Sequence, residues 1–140
     1  MGNIEFDNKQ DDPHFKKCSN NERRVFQYYN DSKGFQFEGE KIRIENGIQA
    51  LNLSEDKNSN GYITIRFVVN CEGRTGMFRV QQMDENYIAK KFNQKIVNQL
   101  LLFTKDLEGW VPKKIEKEKV DYYQYVTYKI ENGKVSEILP

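Results

Sequence analysis

Histidine is almost missing from this sequence: His14 is the only one in 140 residues, beside two cysteines, three prolines and one tryptophan. One histidine in a polar N-terminal stretch cannot complete a Ser-His-Asp or Cys-His nucleophilic set, so no enzyme is expected. Cys18 and Cys71 lie 53 positions apart and form no CxxC pair. With His14 they still lack a fourth ligand at zinc-site spacing, so neither a metal nor another cofactor is expected. Charge of one sign is also lacking, with Lys+Arg 22 against Asp+Glu 21. The basic cluster Lys113–Lys119 is interrupted by Glu116 and Glu118 and makes a solvated face, so nucleic acid is excluded as a partner. No apolar run approaches the ~18 residues a membrane-spanning helix needs, so no integral membrane segment is expected. The start, Met1–Asp7, has neither a basic region nor an apolar stretch of a signal peptide. Phe6 occupies the position where a myristoylation signal needs Ser or Thr. A missing signal fits a cytosolic protein, or a mature segment behind an added start codon.

What remains is ordinary for one small domain. The length suits a single unit, and 37% apolar with 31% charged residues gives a compact core and a well-solvated surface. Residues 1–34 form an N-terminal extension, partly irregular, broken at Asp11-Asp12-Pro13, with a short helix over Glu22–Tyr29. Residues 35–140 form the domain proper. Alternation in Phe35-Gln36-Phe37 and Ile42-Arg43-Ile44 predicts one or two short strands, followed by a turn at Asn46-Gly47. Ser54–Gly61 is a polar loop. Sequons at Asn30 and Asn52 arise by chance in an Asn-rich chain.

From Tyr62 the pattern sharpens. Ile63, Ile65, Phe67 and Val69 alternate with Tyr62, Thr64, Arg66 and Val68, which is the period of a strand. Asn70–Gly73 turns the chain into Thr75–Gln82, where Phe78 and Val80 share a face. A long helix is expected over Asp84–Leu107, with Asp84 as N-cap and Gly109 past its end. Its buried stripe would be Ile88, Phe92, Ile96, Leu100, Phe103 and Leu107. Trp110 is a core residue. Tyr122–Ile130 is a third strand, with Val126, Tyr128 and Ile130 inward and Tyr125, Thr127 and Lys129 outward. Its aromatic run could serve carbohydrate or base stacking, but alternation sends half of it into the core. Asn132-Gly133 turns the chain into Lys134–Leu139. The predicted fold is α+β, a mostly antiparallel sheet with one long helix packed on one face. The two cysteines are a disulfide in an oxidising compartment and two thiols otherwise.

Gly61-Tyr62-Ile63-Thr64-Ile65-Arg66-Phe67-Val68-Val69-Asn70, the Glu72-Gly73 turn, the helix, Trp110-Val111-Pro112 and the strand at Tyr122–Ile130 together resemble the TonB C-terminal domain. The resemblance covers about residues 39–130, with Phe37–Glu40 standing for the segment before the family's first helix. Lys113 replaces the glycine that follows W-x-P, and no anchor or Pro-rich linker lies within these residues, so the chain resembles a stand-alone member. The resemblance implies a non-catalytic interaction domain in the periplasm or envelope, and with it a Cys18–Cys71 disulfide. The partner would be a protein or extended peptide adding a strand at Tyr122, Tyr123, Tyr125, Thr127 and Lys129, or a second copy of the chain. Lys134–Leu139 is expected to cover that edge, so coupling to a receptor is not expected. The alternative is a cytosolic α+β partner-binding or inhibitor domain with convergent topology.

Overall fold

A computed structural model describes residues 4–18, 25–27, 40–51, 53, 58–115 and 118–139. Among them the elements are β1 (Val25–Gln27), α1 (Glu40–Ala50), β2 (Gly61–Val69), β3 (Thr75–Met83), α2 (Gln94–Asp106), β4 (Lys113–Ile115), β5 (Glu118–Glu131) and β6 (Lys134–Leu139). The fold is α+β. Four antiparallel strands lie in the order β6-β5-β2-β3. The short β1 runs parallel to β5, and β4 pairs with its first residues.

The central hairpin is set by its turn. The Asn70 N–H donates to the Arg74 carbonyl at 2.8 Å, and Asn70 Oδ1 accepts from the amides of Glu72 and Arg74. Gly73 has φ +80, and a Cβ there would meet the Trp110 carbonyl oxygen at 2.6 Å. No other residue suits the position. At the far end of β5, Asn132 and Gly133 both have positive φ, as a two-residue hairpin turn requires.

One sheet face carries the main core. Ile63, Ile65, Phe67 and Val69 of β2 and Tyr122, Val126, Tyr128 and Ile130 of β5 are buried there against Ile96, Val97 and Leu100 of α2. Phe67 stacks on Phe78 at 5.0 Å, and its centroid lies 5.2 Å from that of Trp110 in an edge arrangement. Ile44 and Ile48 of α1 enter the same core. A Cβ on Gly47 would come within 2.9 Å of the Phe103 ring, so this glycine permits the close approach of α1 to α2.

Several expectations fail, each for a local reason. The helix starts after Asn93, whose Oδ1 caps the Lys95 amide, and it ends at Asp106 with Leu107 as its cap, ahead of Gly109. Asp84 instead closes a turn. Its Oδ1 accepts from the Asn86 and Ile88 amides, and its carbonyl accepts from Tyr87. The Gln82 carbonyl takes the Lys90 amide and its Oε1 takes the Phe92 amide, so the chain is tied to the end of β3 before any helix begins. Ile88 is therefore 63% exposed instead of buried. Ile42–Ile44 and Asn46-Gly47 lie inside α1, because Ile44 and Ile48 at helical spacing both reach the core. The sheet accordingly packs with two helices, not one. Val25–Gln27 is strand, where pairing with Asp121–Tyr123 overrides local helix propensity. The rest of the Glu22–Tyr29 helix, the Phe35–Phe37 strand, residues 54–57 of the polar loop and both sequon asparagines lie outside the described residues.

Candidate binding edge and the segment beside it

The five residues expected to form a binding edge lie on an interior strand. Tyr122 and Tyr123 stand between Val69 and Val68 of β2 and Phe26 and Gln27 of β1. Thr127 and Lys129 stand between Thr64 and Tyr62 of β2 and Leu139 and Glu137 of β6. Tyr125 faces Arg66 of β2, and its carbonyl accepts from Gln124 Nε2 at 2.8 Å. The expected edge is thus corrected: β5 is paired on both sides at Tyr122, Tyr123 and residues 127–130. Lys134–Leu139 lies beside Thr127–Glu131, where the Asn-Gly turn directs it. Sequence reasoning missed two strands beside β5: β1, which flanks Asp121–Tyr123, and β4, which pairs with Glu118–Val120.

The side chains of Tyr122, Tyr123, Thr127 and Lys129 are also committed. The Tyr122 hydroxyl donates to the Val111 carbonyl at 2.9 Å. The Tyr123 hydroxyl accepts from the Ile4 amide at 3.0 Å, and the Arg66 guanidinium lies 4.3 Å from its ring centroid. Thr127 and Thr64 hydroxyls meet at 2.8 Å, and Lys129 Nζ pairs with Glu131 at 3.0 Å.

The open edge is β3. Among the described residues this strand pairs along its length only with β2, apart from a single bridge from Met83 to Ala89. Since the Gln82 carbonyl points away from β2 to the Lys90 amide, alternation points the Val80 N–H and C=O outward as well. Nearer the hairpin, Arg79 Nη1 donates to the Phe78 carbonyl at 2.8 Å. The β2–β3 register shifts between Arg66 and Val68, and Met77 adopts φ +58, which twists this end of the edge. A groove of about 380 Å³ runs along Thr75–Phe78 between residues Lys9–Asp12 and Lys105 of α2.

The N-terminal segment forms the other wall. Ile4 is buried against Val68, Met77 and Tyr123 on the sheet face opposite the main core. Arg79 grips Asp11 through both terminal nitrogens, at 2.7 and 2.8 Å, and donates to the Glu5 carbonyl at 2.7 Å. The guanidinium holds the Asp11 carboxyl below the usual carboxylate range and is itself held more firmly protonated. Farther along, Asn70 Nδ2 donates to the Lys16 carbonyl, and the Cys18 amide donates to Asp121 Oδ1. Cys18 and Cys71 are joined in a disulfide, with Cα atoms 5.9 Å apart. This covering was missed because Asp11-Asp12 suggests only a chain break. The available signal was Val68, an apolar residue on the outward face of β2 that required a partner.

No group of three or more His, Cys, Asp or Glu side chains able to hold a metal ion occurs among the described residues. No described helix is long and apolar enough to cross a membrane. The chain matches no family model, no curated protein and no solved structure.

Proposed function

We propose that this chain is a non-catalytic protein-interaction domain of the bacterial cell envelope, akin to the TonB C-terminal domain, which takes up an extended peptide along β3. The observation that carries the reading is the one-sided pairing of Thr75–Met83. Outward backbone groups on such a strand are satisfied by any extended chain, and flanking side chains then select the sequence. The resemblance carried by Gly61–Asn70 and Trp110–Pro112 supports the family likeness. The Cys18–Cys71 disulfide supports an oxidising compartment over the cytosolic alternative. The partner-binding edge moves from β5 to β3 because β1 and β6 flank β5.

Photo-crosslinking in the native host tests this. A crosslinking side chain at the exposed Gln81 of β3 is expected to give a discrete protein adduct that disappears with Val80→Pro. Proline removes the outward donor while leaving the β2 side of the ladder in place. No adduct at residue 81, or one indifferent to Val80→Pro, contradicts the proposal. An adduct of twice the chain's mass identifies the partner as a second copy.

A further inference from the structure

The loop between β3 and α2 presents an aromatic surface that neither the core nor the β3 edge uses. Tyr87 is 68% exposed, and its ring stacks on that of Tyr62 with centroids 5.2 Å apart and planes 11° apart. Tyr87 adopts φ +64, a backbone region that disfavours a side chain and that glycine enters without strain. The turn alone therefore does not call for tyrosine. The loop is also rigidly held, by Asp84 Oδ1 on two amides, by the bridge from Met83 to Ala89, and by Gln82 on the Lys90 and Phe92 amides. An aromatic pair presented this way needs little ordering when it meets a ligand.

Beside Tyr62 lies a cleft of about 330 Å³, bordered by Glu85, Lys129 and Glu131. Its charges are unequally committed. Lys129 is neutralised by Glu131 at 3.0 Å, and nearby Lys90 Nζ is held by the Asn60 carbonyl at 3.0 Å. Exposed Glu85 makes no hydrogen bond or ion pair among the described residues. The site thus joins π faces to one uncompensated carboxylate. A cation satisfies both, and a planar guanidinium does so best, since it can lie on a ring and fork its N–H groups toward a carboxylate.

We infer that Tyr62, Tyr87 and Glu85 form a recognition site for an arginine side chain of a partner protein. The site lies at the Met83 end of β3 yet stands independently of strand addition, because it needs only the rings and the carboxylate.

The test is a ¹H–¹⁵N titration of the full chain with Nα-acetyl-arginine amide, run beside the citrulline analogue, which keeps the shape and loses the charge. Saturable shifts at Tyr62, Glu85 and Tyr87 are expected with arginine, and binding at least severalfold weaker with citrulline. Tyr87→Gly, which suits φ +64, should weaken arginine binding about three- to thirtyfold while amides elsewhere keep their positions. Tyr87→Phe, which retains the ring, should stay within about twofold. Glu85→Gln should also weaken binding. Equal shifts with citrulline, no saturable shift with arginine, or unchanged binding by Tyr87→Gly would overturn the inference.

Discussion

The hydroxyls of Tyr128 and Thr104 meet at 2.7 Å where α2 lies on the sheet, both residues fully buried. Thr104 Oγ1 in turn donates to the Leu100 carbonyl at 2.7 Å, so the Tyr128 hydroxyl is the donor between the two. Removing the acceptor is worse than removing the donor. Thr104→Val strands a buried hydroxyl and should cost about 1–3 kcal/mol, whereas Tyr128→Phe leaves Thr104 satisfied and should cost about 0.5–1.5 kcal/mol. Chemical denaturation of both variants and the double variant checks the order. A Tyr128→Phe protein less stable than Thr104→Val contradicts it.

Burial pushes the Tyr128 phenol well above its usual value. The folded chain therefore keeps this proton after the unfolded chain has lost it. Stability should fall as pH rises past about 10, the ordinary tyrosine value. Tyr128→Phe should flatten that alkaline slope.

Asp11 has the opposite linkage. Its bond with Arg79, the largest influence, holds the folded-state carboxyl below the ordinary range. The contribution is complete above about pH 4 and is lost as pH falls through the folded-state value, because the unfolded chain takes up the proton first. Amide exchange around Ile4 and Tyr123 should quicken in that acid window before the main core is affected. Asp11→Asn should show the quickening already at neutral pH.

The Cys18–Cys71 bridge closes a span of 53 residues between the N-terminal segment and the central hairpin. In the chain-entropy account such a loop contributes roughly 4 kcal/mol. Intact mass with and without reductant should show one disulfide, and the Cys18→Ser/Cys71→Ser protein should unfold at distinctly lower denaturant. Two free thiols in protein made under oxidising conditions contradict the pairing.

Two isoleucines on the predicted stripe separate the sequence-based helix from the observed one. Ile96 is fully buried and Ile88 is 63% exposed. Ile96→Ala should cost roughly 2–5 kcal/mol, while Ile88→Ala should stay within about 0.5 kcal/mol. Equal losses contradict the turn at Asp84–Ala89.

The central hairpin, β5 and the Asn-Gly turn were legible because their signals are local: alternation along Ile63–Val69, and positive-φ residues at Asn132-Gly133. Periodicity misled where an apolar residue fell on the right spacing by coincidence. Ile88 stands four residues before Phe92, yet the hydrogen bonds of Gln82 and Asp84 fix the chain there. The α1 segment was misjudged because three residues, Ile42–Ile44, satisfy a strand pattern as well as a helix pattern. Only the burial of Ile48 decides between them. The binding edge was misplaced for a different reason. Which strand lies outermost depends on β1 reaching β5 across nearly 100 residues of sequence, and no local pattern encodes that pairing.

Native-state amide exchange of the isolated monomer tests most directly whether β3, and not β5, is the strand left open. Val80 points its amide away from β2 and should exchange orders of magnitude faster than Val126 and Tyr128 on the enclosed strand. On addition of the crosslinked partner, Val80 should become protected while Tyr128 stays unchanged. A Val80 amide already protected in the monomer, or a rapidly exchanging Tyr128, would contradict the account.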